Sequence, residues 1–537
     1  MNKILPVLTL AVAYIIKFCI YRYEVHLNAL LNVGQLAGAY MIVVAVALAI
    51  ASFVWIIRSQ WVHTIVFILI DLWLIANIWY SKANFMLIDW GAILTIGQLR
   101  GFEDSILSYL DWNQLVIPLM SIGSYAILMG LETSRTDGPQ WMDWTSWRRI
   151  FISAAVLWWI GTGCAALSTE DTQDDWQTAK ERQIMNIHSP IAHFGIEIYH
   201  AIEDIHIRHN AEQPLTEEEE SILSRLLTDS VAAEPIEGHL VYILVESWES
   251  WSLRAKDIHG DPVCRNIVNY VRTHPILFSE GILSQQQYGR SGDGQLITQT
   301  GLLPLLHGVA CMRYGNNVYP NLAHFYNDGV VLDPYGTVWN QKVTSYSYGF
   351  KRHIYPDSRT SHSNDSIILA QAREQLEQAS KPTCVLAITY NTHTPFHSVP
   401  ATIDLSESYT SIENKYLQCV RYLDAQVGRF LAWADTATQM QNATIIITAD
   451  HNHFPRKEGK GICPLIIRSP KIEKPVYIRQ AFQMDIYPTV LSLIGQENYW
   501  WRGFGRNLLI EESQPICSPE ESLRLSDKLI RRNYFKH

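Results

Sequence analysis

Five long apolar runs occupy the first 167 residues, at about residues 4–21, 37–57, 61–80, 113–131 and 150–167. A bilayer core of about 30 Å needs roughly 20 apolar residues of helix, so each run predicts a membrane span. The second is the clearest, because no charged residue occurs from Leu27 through Ile57. Buried core helices are the competing reading, but five such runs exceed what one soluble core would hide. Lys3 ahead of the first run has the look of a secretory signal. Phe18-Cys19-Ile20-Tyr21 lacks the small residues that cleavage requires, and the run reads as an anchor.

After residue 167 the pattern changes. Residues 168–235 are polar with helical stretches and read as a juxtamembrane connector; the acidic run Glu217-Glu218-Glu219-Glu220 suits a helix N-terminus, where it meets the positive end of the dipole. Short β-branched runs then alternate with helical patterns, at 239–245, 383–389, 443–448 and 464–467. That alternation predicts an α/β domain over 236–511 with a mainly parallel central sheet covered on both faces, followed by a tail over 512–537. The expected architecture is a five-helix transmembrane domain over 1–167, the connector, and an extracytoplasmic catalytic domain. Ligands in such sheets collect beyond the carboxyl ends of the strands.

Composition sharpens this division. The chain is 48% hydrophobic and 18% charged, an average over two unlike parts. Nine basic and nine acidic residues precede residue 168, leaving 33 basic and 43 acidic after it, so the formal charge of −10 belongs to the C-terminal part. An acidic domain with no basic, aromatic-interleaved run argues against nucleic acid as a partner. With the N-terminus inside, Lys3, Arg58, Arg135, Arg148 and Arg149 face the cytoplasm, against Arg22, Lys82 and Arg100 outside. Five against three follows the positive-inside rule and places everything after the fifth span outside. Asp71 lies mid-span, where a charge is expensive and invites a functional reading; a bundle-facing carboxylate, protonated or paired, is the expectation. The amphipathic stretch Phe85-Met86-Leu87-Ile88-Asp89-Trp90 predicts a segment lying along the membrane surface.

The polar residues at the strand ends carry the chemistry. The first run ends in Val245-Glu246-Ser247, the second in Tyr390-Asn391-Thr392-His393, and the third in Ala449-Asp450-His451-Asn452-His453. Carboxylates and imidazoles emerging at one sheet edge form a ligand set suited to one divalent ion, Mn²⁺ or Zn²⁺. The Gly-rich stretch Gln287-Tyr288-Gly289-Arg290-Ser291-Gly292-Asp293-Gly294-Gln295 offers Ser291 as a nucleophile, with Thr298 and Thr300 as alternative hydroxyls. A free Ser is too weak for the task, and a coordinated cation activates it.

In this order the motifs resemble the alkaline phosphatase and sulfatase superfamily, and within it the membrane-bound lipoteichoic acid synthases and phosphoethanolamine transferases. Val245-Glu246-Ser247, Gly289-Arg290-Ser291 with Asp293, His393-Thr394-Pro395-Phe396, Thr448-Ala449-Asp450-His451, Asp485-Ile486-Tyr487-Pro488-Thr489 and Gly503-Phe504-Gly505-Arg506-Asn507-Leu508 carry the likeness. The resemblance implies that Glu246, Ser291, Asp450 and His451 hold the metal, that His393 contacts substrate phosphate, and that Trp339 and Asn340 line the substrate site. His453 is a further candidate ligand or phosphate contact. Gln341 stands where lipoteichoic acid synthases have an Arg in Trp-Asn-Arg, which removes a bidentate phosphate partner. Gln295 stands where sulfatases need Arg, which argues against sulfate esters. The implied activity is transfer of a phospholipid headgroup, phosphoglycerol or phosphoethanolamine, through a phospho-Ser intermediate to an envelope glycan or lipid, in a bacterial-type cytoplasmic membrane. The alternative is a metal-dependent phosphodiesterase or phosphatase-type hydrolase. Outside the spans, Cys264, Cys311, Cys384, Cys419, Cys463 and Cys517 allow up to three disulfides, with unpaired burial the competing expectation for Cys384 and Cys463.

Overall fold

The computed structural model describes the chain except residues 1–4, 28–30, 57–59, 85–86, 95–109, 134–143, 168–186, 189–190, 210–214, 229–234, 335, 337, 356–363, 395, 397, 455–458 and 537. Phe85, Met86 and Pro395, the charges Lys3, Arg58, Arg100 and Arg135, and much of the connector lie outside the described residues. The chain divides into two compact units: residues 1–93 with 100–203, and residues 94–99 with 204–537.

In the first unit, helices α1 (Leu5–Glu24), α2 (Val33–Ile56), α3 (Gln60–Asn84), α4 (Trp90–Leu94), α5 (Val116–Thr133) and α6 (Trp144–Leu167) are followed by α7 (Ile191–His209), whose last residues belong to the second unit. Each apolar run is helical. Among the described residues, two helical stretches are long and apolar enough to cross a membrane: Val33–Val54, with mean hydropathy 2.4, and Trp61–Lys82, with 1.9. A shorter apolar helix covers Ile152–Cys164. The bundle core holds Tyr14, Phe18, Ile42, Val46, Phe67, Leu74 and Ile78. Asp71 is paired as its position demands: Lys17 Nζ lies 2.6 Å from its carboxylate and also donates to Ser121, so one buried ion pair ties α1, α3 and α5.

The second unit begins with α8 (Glu217–Leu226), where the acidic run lies in the first turn and Thr216 and Glu219 form a reciprocal cap. Strands β1 (Leu240–Val245) and β2 (Leu277–Leu283) flank α9 (Arg265–Thr273), and α10 (Ser291–Thr300) follows β2. Then come β3 (Asp328–Leu332), α11 (Gln341–Ser347), β4 (Arg352–Ile354), α12 (Asp365–Gln378), β5 (Thr383–Ile388), α13 (Ser411–Thr436), β6 (Thr444–Ala449), β7 (Cys463–Arg468), β8 (Val476–Ile478) and β9 (Ala481–Phe482). Helices α14 (Ile486–Leu493) and α15 (Pro519–Arg531) close the unit.

The strands form one sheet in the order β4-β3-β5-β1-β6-β7-β2-β8, with β9 beside β2. Every residue of β1, β5 and β6 is buried, as a parallel sheet covered on both faces requires. The sheet is mostly parallel but mixed. The run at 464–467, expected as another parallel strand, is β7, antiparallel to both β6 and β2. The reason is its connection: a parallel return needs a crossover, usually a helix, whereas no helix is described between Ala449 and Cys463. Two reversals across β7 leave β2 pointing the same way as β6, so β5, β1, β6 and β2 all end at one edge.

All eight cysteines are free thiols, and Cys384 and Cys463 are buried in β5 and β7. None of the three permitted disulfides forms.

Candidate metal-dependent active site

At that shared edge, Glu246 follows β1 directly, and Asp450 and His451 follow β6. One ligand atom from each falls within 4.8 Å of the others, and all three residues are buried. Ser291 is the first residue of α10, reached from β2 through the Gly-rich loop. Its hydroxyl donates to Glu246 Oε2 at 3.0 Å and lies 3.3 Å from His451 Nε2. Four residues from three distant stretches of the sequence thus converge. Thr298 and Thr300 are instead buried along α10, where they donate to Gly294 and Leu296 carbonyls, and so act as helix-lining hydroxyls.

The backbone around these groups is held by close packing and by buried acids. A Cβ on Gly294 would stand 2.2 Å from the Asp450 carbonyl oxygen, so only glycine lets α10 approach the end of β6 this closely. Asp293 Oδ2 accepts from the amides of Gln287 and Gly289, both at 2.8 Å, which folds the loop ahead of Ser291. Burial pushes the Asp293 carboxyl up to about 7 against the opposing effect of those two amides. Glu249 accepts from the amides of His453, Phe454 and Gly461, and so holds both ends of the loop after β6. Asp365 holds the start of the loop after β5, accepting from the amides of Tyr390 and Asn391.

The donor set fits a divalent cation. Asp450 Oδ1 accepts from the amides of Ser247 and His451, at 2.8 and 2.7 Å, while Oδ2 is buried, 3.7 Å from His451 Nε2 and with no hydrogen-bond partner among the described residues. An orphaned carboxylate oxygen aimed among a second carboxylate, an imidazole and a hydroxyl is costly unless a cation joins them. The electrostatics agree: burial, then the nearby Asp450, pushes Glu246 up, and burial raises Asp450 as well. Burial also lowers His451 to about 4, leaving a neutral ring able to bind a metal. Its Nδ1 faces the Asn452 carbonyl at 3.0 Å, which orients Nε2 toward Ser291.

The substrate-side residues occupy the loops around this cluster. His393 stacks on Tyr390, with ring centroids 5.3 Å apart, and its Nδ1 bonds the Thr394 carbonyl at 2.5 Å. Trp339 and Asn340 precede α11 with φ of 53° and 55°. Trp339 packs near the start of α10, 3.6 Å from where a Gly292 Cβ would be. Asn340 Nδ2 donates to the Cys311 carbonyl at 2.9 Å. Gln341 is buried and donates to Ser345 within its own helix, so it presents no substitute for the missing guanidinium. His453 is mostly buried and lowered to about 3 by burial first and Arg290 next.

Sequence reasoning missed Ser247, whose φ is 52° and whose hydroxyl donates to Glu246 Oε1 at 2.6 Å. It also missed Arg290, held at φ 44° and donating to the Asn452 carbonyl at 3.4 Å. Their place beside Glu246 and Ser291 in the motifs was the available signal.

Comparison with known proteins agrees with this geometry, since the Sulfatase family profile matches residues 239–496. Those residues are similar to the sulfatase family over the whole of the central sheet from β1 to β9. A lipoteichoic acid synthase-like protein of Bacillus subtilis is 23% identical over 316 residues, 52% of this chain and 51% of that one. The lipoteichoic acid synthase of Staphylococcus aureus is 24% identical over 258 residues, 42% and 40% of the two chains. The chain spans about half the length of the curated relatives it matches. In fold, it is similar to the integral membrane protein lipooligosaccharide phosphoethanolamine transferase A of Neisseria meningitidis, with TM-score 0.53, 13% identity, and 92% and 95% of the chains covered. The chain thus matches the Sulfatase family profile over residues 239–496 and is similar in sequence to lipoteichoic acid synthases, and its fold is similar to that of the phosphoethanolamine transferase.

Proposed function

We propose that this protein is a metal-dependent transferase that moves a phospholipid headgroup, phosphoglycerol or phosphoethanolamine, from a membrane lipid to a cell-envelope acceptor. The observation that carries the proposal is the Ser291 hydroxyl, 3.0 Å from Glu246 and 3.3 Å from His451 beside the orphaned Asp450 oxygen. Similarity to lipoteichoic acid synthases supports headgroup transfer. Five spans carry the chain through a cytoplasmic membrane and leave the sulfatase-like domain outside.

Glu246, Ser291, Asp450 and His451 would hold the cation, Mn²⁺ or Zn²⁺, which would supply positive charge that lowers the hydroxyl's pKa and neutralises phosphate oxygens. The Ser291 proton points toward Glu246 Oε2, leaving the oxygen's lone pairs for phosphorus. The Ser291 Oγ–P bond forms as the P–O bond to diacylglycerol breaks, and the Ser291 proton passes by way of Glu246 Oε2 to the departing oxygen. His393, together with Trp339 and Asn340, positions the headgroup. An acceptor hydroxyl then attacks phosphorus, its proton passing to Ser291 Oγ as the Oγ–P bond breaks. Positioning and charge neutralisation carry most of such a reaction.

The test incubates the full chain with isotope-labelled phosphatidylglycerol or phosphatidylethanolamine and each metal. Mass spectrometry should find a headgroup adduct on Ser291 that discharges to acceptor. Ser291→Ala should form no adduct, and chelation should stop the reaction. Diacylglycerol release without an adduct, or discharge only to water, would establish the hydrolase instead.

A further inference from the structure

Helix α7 has its polarity reversed. At helical spacing, His193, Glu197 and His200 are buried, while Phe194, Ile198, Tyr199 and Ile202 are 52, 45, 61 and 62% exposed. A helix of a water-soluble surface turns its apolar stripe inward and its charges outward. From residue 193 to residue 203 no charged side chain of α7 is fully exposed: Glu197 is buried and Glu203 half-buried.

The inward polar face is built. His193 Nε2 donates to the Ile88 carbonyl at 2.7 Å, and Glu197 Oε2 accepts from the Trp90 amide at 2.8 Å. These bonds seat residues 191–203 against the stretch that follows α3, within the first unit. At the start of α7, Trp73 of α3 stacks on His193 at 5.6 Å and meets the edge of Phe194 at 5.5 Å. Trp73 lies inside the candidate span Trp61–Lys82, whose own outward residues Ile65, Ile68, Leu69 and Leu72 are all more than half exposed. The exposed face of α7 therefore continues the outward apolar surface of a membrane-length helix.

We propose that residues 191–203 of α7 are an interfacial segment that sinks Phe194, Ile198, Tyr199 and Ile202 among the acyl chains of the bilayer's outer leaflet. The occupant of this face is lipid. Moving the exposed parts of those four side chains from water into hydrocarbon is favourable, whereas water offers no compensation for the arrangement seen. Tyr199 keeps a hydroxyl for the headgroup level while its ring is buried. The inference rests on the proposed membrane location and makes no use of the catalytic chemistry.

The experiment places the photoreactive residue p-benzoylphenylalanine at Ile198, at Ile202 or at exposed Ser224 of α8 in the full chain, reconstituted in vesicles of phosphatidylglycerol and phosphatidylethanolamine. Positions 198 and 202 should yield lipid adducts by mass spectrometry at about tenfold the level at Ser224. Ser291→Ala should leave those adducts unchanged, so a failed transferase reading and a failed interfacial reading are told apart. Cross-links from Ile198 or Ile202 to a second copy of the chain, or lipid adducts no more frequent than at Ser224, would overturn the proposal. As a second measurement, Ile202→Asp should lower the adduct yield at position 198 severalfold; an unchanged yield would count against it.

Discussion

Asp365 holds the loop that carries His393. Its Oδ1 accepts from the amides of Tyr390 and Asn391 at 2.8 and 3.0 Å, while Oδ2 is buried without a hydrogen-bond partner among the described residues. Burial raises its pKa to about 6, against those two amides, which act to lower it. A raised folded-state pKa means the native state keeps a proton the unfolded state has lost. The group's contribution is then fully present below the ordinary carboxylate range and disappears as pH rises through about 6. Asp365→Asn keeps an acceptor and removes the titration. Between pH 4 and 7 the wild type should lose stability relative to this variant, by roughly 2 kcal/mol, in denaturant unfolding at matched pH. Parallel pH profiles for the two proteins would refute the assignment. Asp365→Ala strands two amides and should cost about 1–3 kcal/mol at any pH. The roles of Asp365, Glu249 and Asp293 were illegible in the sequence, because each depends on where a loop folds back. Glu246, Asp450 and His451 were legible, because a strand end announces itself in the apolar run that precedes it. Ser247, Arg290, Trp339, Asn340 and Phe396 all have positive φ, and none is the glycine that would have advertised it.

Helix α10 and strand β6 meet where Ser291 must face His451, and their separation is set by Gly294. A methyl there meets backbone rather than a yielding side chain, with the Asp450 carbonyl oxygen at 2.2 Å and its carbon at 2.7 Å. Gly294→Ala must therefore move one element against the other. We expect a folded protein destabilised by about 1–3 kcal/mol, with metal affinity down at least about tenfold as Ser291 withdraws from the cluster. Calorimetric titration with Mn²⁺ or Zn²⁺ beside unfolding measurements checks both, and unaltered affinity would show that the helix position does not govern the site. The same elements show what periodicity conveys. Three all-buried parallel strands, β1, β5 and β6, stood out as β-branched runs, but β7 has an equally apolar run and lies antiparallel. An apolar run reports burial on both faces, and direction is decided by the connection.

The two units have separate cores. The bundle cluster draws on residues from Val7 to Ile187 and the sheet cluster on residues from Ile222 to Phe535, with none in common. The candidate cation site lies wholly in the second unit. A ligand that binds only the native state stabilises what must unfold to release it, by about 2.7 kcal/mol at a hundredfold excess over its dissociation constant. Scanning calorimetry of the full chain in detergent should therefore show one transition moving upward by several degrees with Mn²⁺ or Zn²⁺ while the other stays fixed. Chelation should reverse the shift, and Ser291→Ala, which keeps both carboxylates and the imidazole, should retain part of it. Acidification should weaken it, because Glu246 and Asp450 are already pushed up by burial and must give up their protons to bind the ion. A shift of both transitions by the same amount would mean that the units unfold as one body. No shift at all, with Glu246, Asp450 and Ser291 intact, would remove the cation from the site and with it the means of activating the serine.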